Sequence, residues 1–247
     1  MKQAPAFSII IPVLHERENI NTLINNLLQA PTKEPIEIIV VDASPTKDTI
    51  NQIANSSVIK LTAQKGRAQQ MNKGAKHASG EILVFLHADT EPPKNCLTEI
   101  KKIMENKQFI GGAFSLKIQT KHKIIQIVAV ISTLRSQITR APYGDQVIFI
   151  KKSFFEKIGG YRNIPIMEDV DIMRRIKKQK GKIRILPHHV ITSDRRWKEE
   201  GLLYTNIRNT IIIFLYWCGM PAEKLAKFYP THTTKSKKEP KKSKSPQ

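Results

Sequence analysis

Hydrophobic positions in the first hundred residues alternate between two textures. Mainly apolar runs, Phe7–Val13 and residues 36–41, 58–61 and 82–86, read as strands, the last of them apolar throughout and so buried on both faces. Between them the apolar residues fall three and four apart, as Ile20, Leu23, Ile24, Leu27 and Leu28 do within residues 16–29. That spacing predicts a helix there, and further helices over 46–54, 68–78 and 94–105. Strand and helix alternating at this pitch predict an α/β fold: a mostly parallel sheet flanked by helices.

The pattern after residue 110 is less regular. Residues 111–119, 147–150 and 182–186 read as strands, and 153–158 as a short helix closed by Gly159-Gly160. Residues 170–179 form a further helical stretch. Residues 123–138 and 199–218 have helical length and are apolar, the latter giving the chain an apolar, amphipathic C-terminal helix. No repeat is visible. Residues 230–247 are Lys, Ser, Thr and Pro without apolar anchors and are expected to be a disordered basic tail. The expected organisation is one domain over 1–229, with halves of about 7–110 and about 111–229.

Charge narrows the partners. The 247 residues carry a formal net charge of +20, and only part of it lies in 231–247, with six Lys against one Glu. Such a surface favours nucleotides, nucleic acid or an anionic bilayer face. Aromatic residues make up only 6%, and neither a stacking ladder nor a zinc spacing is present, which argues against nucleic acid. Two distant cysteines, Cys96 and Cys218, point to a reducing compartment. Residues 1–6 lack the apolar core of a signal peptide. The longest charge-free apolar stretch, 209–222, falls short of the roughly 20 residues that a membrane span needs. The expectation is a cytoplasmic protein that touches a membrane without crossing it.

Candidate chemistry sits just after strands and at helix starts. The run from Ile82 to Leu86 ends abruptly in His87-Ala88-Asp89. A carboxylate delivered by a rigid strand end suits a divalent cation held against phosphate. Asp89 also suits a plain turn before Pro92-Pro93. Pro12-Val13-Leu14-His15-Glu16 carries the end of the first strand into its loop, and Asp42 ends the second, where it suits a base or ribose. Gly66 opens a helix between Lys65 and Arg67, a combination suited to a diphosphate. Glu168-Asp169 opens another helix, where acids also serve as caps.

Taken together these segments resemble the family 2 glycosyltransferases. Ser8-Ile9-Ile10-Ile11-Pro12-Val13-Leu14-His15-Glu16 resembles the family's first strand and loop, and Val40-Val41-Asp42-Ala43-Ser44 its second strand end. His87-Ala88-Asp89 falls at its Asp-any-Asp metal motif, and Glu168-Asp169 at its acceptor-side acid pair. The segments Gly66-Arg67-Ala68-Gln69-Gln70-Met71-Asn72, Pro142-Tyr143-Gly144-Asp145-Gln146 and Ser193-Asp194-Arg195-Arg196-Trp197 resemble a small bacterial subgroup, some of whose members are labelled carotenoid-acid glycosyltransferases.

The resemblance covers about 7–229. It implies a GT-A fold, a UDP- or GDP-linked sugar donor, a divalent metal (Mn²⁺ or Mg²⁺) and, for most of the family, inversion at the anomeric carbon. It makes 7–110 the nucleotide-binding half and 111–229 the acceptor half. Pro12, Glu16 and Asp42 would contact the nucleoside, Arg67 the diphosphate and Asp89 the metal, with Asp169 the general base. Asp145, Glu168, Arg196 and Trp197 would lie on the acceptor side.

His87 replaces the motif's first Asp; it either binds metal, for which Mn²⁺ suits imidazole better than Mg²⁺ does, or orients Asp89. His15 stands where Asn is common. Trp197 reads equally as a packed aromatic. The apolar stretches 124–138 and 207–220 read either as core or dimer helices or as segments lying in a bilayer interface, the latter fitting a lipid acceptor and a peripheral place at the inner face of the cell membrane. Two other readings compete. A nucleotidyltransferase usually opens with a Gly-rich loop, which residues 12–16 lack. The other is a basic, non-enzymatic nucleic-acid-binding protein.

Overall fold

The structure, a computed structural model, describes residues 4–120, 122–193 and 201–228. Arg196, Trp197 and the basic segment 230–247 lie outside the described residues. Strands β1 (Phe7–Val13), β2 (Ile36–Asp42), β3 (Ile59–Thr62), β4 (Ile82–Phe85), β5 (Thr90–Glu91), β6 (Phe109–Gln119), β7 (Ile148–Lys151) and β8 (Lys182–Ser193) form one sheet. Their spatial order is β3-β2-β1-β4-β7-β6-β8-β5. The β1–β2, β2–β3, β1–β4 and β6–β8 pairs are parallel, while β7 runs antiparallel to both β4 and β6.

Helices α1 (Ile20–Leu28), α2 (Arg67–His77), α3 (Cys96–Glu105), α4 (Lys123–Thr139), α5 (Lys152–Lys157) and α6 (Glu168–Lys178) cover both faces. The alternation of side chains along a strand sorts them into two cores. Phe7, Ile9 and Ile11 pack with Ile20 and Ile24 of α1, Leu97 and Ile100 of α3, and Ile125 and Ala129 of α4. Ile10, on the opposite face, packs with Ala68, Met71 and Ala75 of α2, Phe155 of α5, and Ile172 and Ile176 of α6. Helix α2 lies so close to the sheet that a Cβ on Gly74 would come within 2.5 Å of Ile10 Cγ2. Helices α7 (Leu202–Trp217) and α8 (Ala222–Ala226) form a third, smaller cluster, in which Ile212 and Leu225 meet Ile166.

The sheet reverses direction of winding at β1, which has β2 on one side and β4 on the other. Ligands of open α/β sheets bind at the carboxyl ends of such strands. Residue 12 opens the crevice. The N–H of Leu86 donates to the carbonyl of Ile10 at 3.0 Å, so Ile10 faces β4. In a parallel ladder residue 12, two further on, presents its nitrogen to the same side. Pro12 has no N–H, and the β1–β4 ladder ends at Ile10 and Phe85, while β1 stays paired with β2 as far as Val13 and Asp42. Pro12 is itself buried within β1, so its part is to shape the crevice; its buried ring is not presented for the expected nucleotide contact.

Two local expectations differ from the fold. Residues 46–54 form no α-helix, only a 3-10 turn at Ile50–Gln52. The side chain of Asp42 takes the N–H groups of Thr49 and Ile50, which a helix start would leave to water or a local cap. Strand β8 does not stop at residue 186; it runs to Ser193 through a register shift opposite Phe114 and Ser115.

Candidate functional site

Each polar segment singled out in the first half of the sequence lies at a carboxyl strand end or a helix start of the sheet. Beyond β1, His15 takes a left-handed backbone conformation (φ 59°) that turns the chain out over the crevice. Its Nδ1 lies 2.7 Å from Asp48 Oδ2, which also receives Arg17 Nε at 3.1 Å. The N–H of Glu16 donates to Thr49 Oγ1 at 3.0 Å. The loops after β1 and β2 are thus tied to each other. Burial alone would push the Asp48 carboxyl up. Hydrogen bonds from His15 and Ser44, with the charge of His15 and a bond from Arg17, outweigh it and hold the carboxyl down at about 2.

Asp42 has a different surrounding from the one expected. It is fully buried. Oδ1 accepts the N–H of Ser44 at 2.7 Å, and Oδ2 accepts those of Thr49 and Ile50 at 3.1 and 3.2 Å. The carboxylate folds the loop that carries Asp48 and is not presented to the crevice as a nucleoside contact. Gln70 of α2 makes the matching brace: its Nε2 donates to the carbonyls of Val13 and Val41, both at 2.8 Å, and joins the two strand ends.

Gly66 stands at φ 144°, a conformation costly for any other residue, and delivers Arg67 as the first residue of α2. Arg67 Nε lies 3.1 Å from Glu168 Oε1. Glu168 is buried, while the Arg67 side chain is 40% exposed. Burial raises the Glu168 carboxyl above its ordinary value; Arg67 opposes this and the neighbouring Asp169 adds to it. This ion pair links the two halves of the chain.

Met167 (φ 67°) reverses the backbone so that α6 begins with Glu168-Asp169. Asp169 Oδ2 accepts the N–H of Gly144 at 2.8 Å, and Oδ1 accepts that of Val170 at 2.8 Å. A Cβ placed on Gly144 would lie 3.1 Å from His87 Nε2 and 3.7 Å from Asp169 Oδ2. The strand-end histidine and the helix-start aspartate therefore meet around one glycine, although 82 positions separate them in the sequence numbering. Asp89 is half-buried, two residues beyond His87 in a turn closed by the N–H of Thr90 on the carbonyl of His87 at 3.1 Å.

Among the described residues no three His, Cys, Asp or Glu side chains gather closely enough to cage a metal ion. The partly exposed Asp89 and His87 instead fit an ion that arrives with phosphate oxygens. Magnesium-type sites are commonly built from one or two carboxylates and the ligand's own phosphates, and imidazole suits Mn²⁺.

Several residues of this site carried no assigned part in the sequence reading. Arg135 of α4 lies over the Tyr143 ring at 3.7 Å and donates to the Ala141 carbonyl at 2.9 Å. Burial pushes the Tyr143 phenol up to about 12 against the pull of Arg135. Gln146 is fully buried; its Oε1 accepts the Ser136 hydroxyl at 2.7 Å and the Tyr143 N–H at 3.1 Å, and its Nε2 donates to the Phe114 carbonyl at 2.9 Å. These bonds fix the turn that presents Gly144 and the half-buried Asp145. The signal for Arg135 was its isolation: it is the one charged residue between Lys123 and Arg140.

A crevice at a sheet's switch point, with a basic helix start on one side and an acidic helix start on the other, defines an α/β protein of the GT-A fold. The chain belongs to glycosyl transferase family 2, whose model matches residues 8–157. It is 25% identical over 226 residues to the probable glycosyltransferase YdaM of Bacillus subtilis, covering 81% of this chain and 52% of that protein. It is 30% identical over 105 residues to a dolichol-phosphate mannosyltransferase of Pyrococcus furiosus, covering 40% and 30%. The matched stretches thus span about half or less of these two relatives. The solved mannosyltransferase PcManGT of Pyrobaculum calidifontis, in complex with GDP-Man and Mn²⁺, superposes with a TM-score of 0.57 at 18% identity, covering 77% of this chain and 57% of that one. That likeness is one of fold.

Proposed function

We propose that the chain transfers a sugar from a nucleotide-diphosphate sugar, UDP- or GDP-linked, to an acceptor hydroxyl or carboxylate, with inversion at the anomeric carbon. The observation that carries this reading is the meeting of His87 and Asp169 around Gly144, which sets a carboxylate on the acceptor side against the strand end expected to face the diphosphate. Glu16 and the tied loops after β1 and β2 hold the nucleoside, and Arg67, at the start of α2, takes the diphosphate. Asp89, with His87 beside it, would hold Mn²⁺ or Mg²⁺, which when bound neutralises charge on the leaving diphosphate. Asp169 accepts the proton of an acceptor hydroxyl as its oxygen bonds to the anomeric carbon; the bond from that carbon to the diphosphate oxygen breaks and its electrons leave with the nucleoside diphosphate. An acceptor carboxylate, already ionised, attacks without that proton transfer.

The mannosyltransferase that shares the fold is described with GDP-Man and Mn²⁺, which supports these as the first ligands to test. We place the acceptor among lipids and the protein at the inner face of the cell membrane. No helix of the described residues is long and apolar enough to cross a bilayer. The test is thermal unfolding with a panel of UDP-, GDP- and TDP-sugars, with and without Mn²⁺. A rise in midpoint for one nucleotide class that grows with Mn²⁺ is the expected result. A midpoint unmoved by any of them overturns the reading.

A further inference from the structure

Helix α4 turns an apolar stripe to the outside. Ile124, Ile127, Val130, Ile131, Leu134 and Ile138 are each 54–73% exposed. Five of them follow steps of three and four along the helix, so they share one side. The only charged residue inside the stripe's span, Arg135, is turned away onto Tyr143. Helix α7 repeats the arrangement with Tyr204, Ile207, Ile211, Phe214 and Trp217, each at least half exposed. Contiguous exposed apolar surface on this scale marks an interaction site.

We propose that these two faces lie in the surface of an anionic lipid bilayer, a reading that rests on the lipid acceptor proposed above. Charge and residue type select the occupant. Lys123 and Arg140 stand at the two ends of the α4 stripe. The whole chain has 41 basic against 21 acidic residues. Such a surface is drawn to anionic headgroups and repelled by a second copy of itself. Tyr204 and Trp217 close the two ends of the α7 stripe, and such rings favour the boundary between headgroup and acyl chain. Neither helix is a membrane span. Both would lie in the plane of the interface, apolar side down.

The docked faces border the acceptor end of the site. Arg135 of α4 touches Tyr143, whose neighbour Gly144 holds Asp169. Ile212 and Leu215 of α7 pack in the cluster that contains Ile166 and Met167, just before Glu168. An acceptor with its apolar chain in the bilayer would present its polar head beside Asp169.

The experiment is flotation of the full chain with vesicles of phosphatidylcholine alone or mixed with phosphatidylglycerol, at low and high salt. It compares the wild type with the double variant Ile127→Gln/Ile131→Gln and with Phe214→Gln, which leave the net charge unchanged. The wild type is expected to float with the mixed vesicles. Both variants should lose about tenfold or more in binding, while keeping the wild-type unfolding midpoint and the midpoint shift produced by the nucleotide-sugar. The Lys-rich segment after residue 230 is intact in every protein, so charge alone cannot produce the difference. Absence of flotation, or equal flotation of variants and wild type, overturns the proposal. So does a lipid-free dimer that either variant splits, since a second copy then occupies the face. If no nucleotide-sugar shifts the midpoint of any protein, the transferase reading fails while the flotation result still stands.

Discussion

The N–H of Gly144 donates to Asp169 Oδ2 at 2.8 Å, and the same glycine leaves the space in which His87 Nε2 approaches. Asp169 is held from outside its own helix, by a turn that Gln146 anchors to β6. A carboxylate fixed in this way would need no rearrangement to serve as the proposed base. Asp169→Asn keeps the size and the acceptor oxygen but removes the basicity. Its kcat is expected to fall by about 10²–10⁴-fold, with the nucleotide-sugar midpoint shift unchanged. Turnover at the wild-type rate would remove Asp169 from the base role.

Gly144→Ala places a methyl 3.1 Å from His87 Nε2, tighter than normal contact. Either the imidazole or the turn that carries Asp169 has to yield. Overpacking of this kind costs about 1–3 kcal/mol where neighbours cannot move. Here His87 is half-buried, so the larger expected effect is on kcat, with a smaller one on the unfolding midpoint. Parallel steady-state kinetics and thermal unfolding separate the two.

Arg135 is near enough to Asp169 and Asp145 to interact with both electrostatically, against the burial that works on its own charge. Arg135→Gln removes the guanidinium that lies over the Tyr143 ring and donates to the Ala141 carbonyl, and so loosens the turn whose Gly144 N–H holds Asp169. The kcat is expected to fall in Arg135→Gln and to recover in part in Arg135→Lys, with the nucleotide-sugar midpoint shift unchanged. An unchanged kcat in both variants would disconnect Arg135 from Asp169.

Asp48 governs a pH window of stability. Its folded carboxyl sits at about 2, below the ordinary 3.8, so its contribution is present above about pH 4 and is lost as pH falls through about 2. The contribution is about 1–2 kcal/mol, set at the low end because Arg17 and His15 are partly exposed. Asp48→Asn should flatten the loss of stability between pH 4 and 2 while lowering stability at pH 6, as urea midpoints at each pH will report.

Gly74 tests the fit of α2 on the sheet. A Cβ there would come within 2.5 Å of Ile10 Cγ2 and 3.3 Å of Val41 Cγ2. Both neighbours are in central strands and fully buried. The helix-propensity gain of Ala is under about 1 kcal/mol, so Gly74→Ala is expected to destabilise by a net 1 kcal/mol or more, on the order of the usual overpacking cost, read as a lower urea midpoint.

The central strands were legible because β1, β2 and β4 are covered on both faces and so spell out as runs dominated by Ile, Val, Leu and Phe. The place of β7 was not, since nothing in Ile148–Lys151 says that it runs antiparallel between β4 and β6. The acids at 42 and 48 show the same limit within the site. The first ends the second strand and the other lies in the loop beyond it, yet backbone amides consume Asp42, while Asp48 ties down His15 and Arg17. Which carboxylate is sealed depends on how the loop closes, and sequence spacing does not encode that closure. Arg135 was hidden for a related reason: an arginine in an apolar helix reads as a surface residue until the Tyr143 ring beneath it is seen.

Position 12 makes the mouth of the molecule a property of its covalent chain. An imino acid offers no proton with which the first and fourth strands could zip further, so they part before any guest arrives. Admission of a ligand then breaks no sheet hydrogen bond. An ordinary amino acid there would supply the missing donor, and with it a route by which the entrance could seam itself shut.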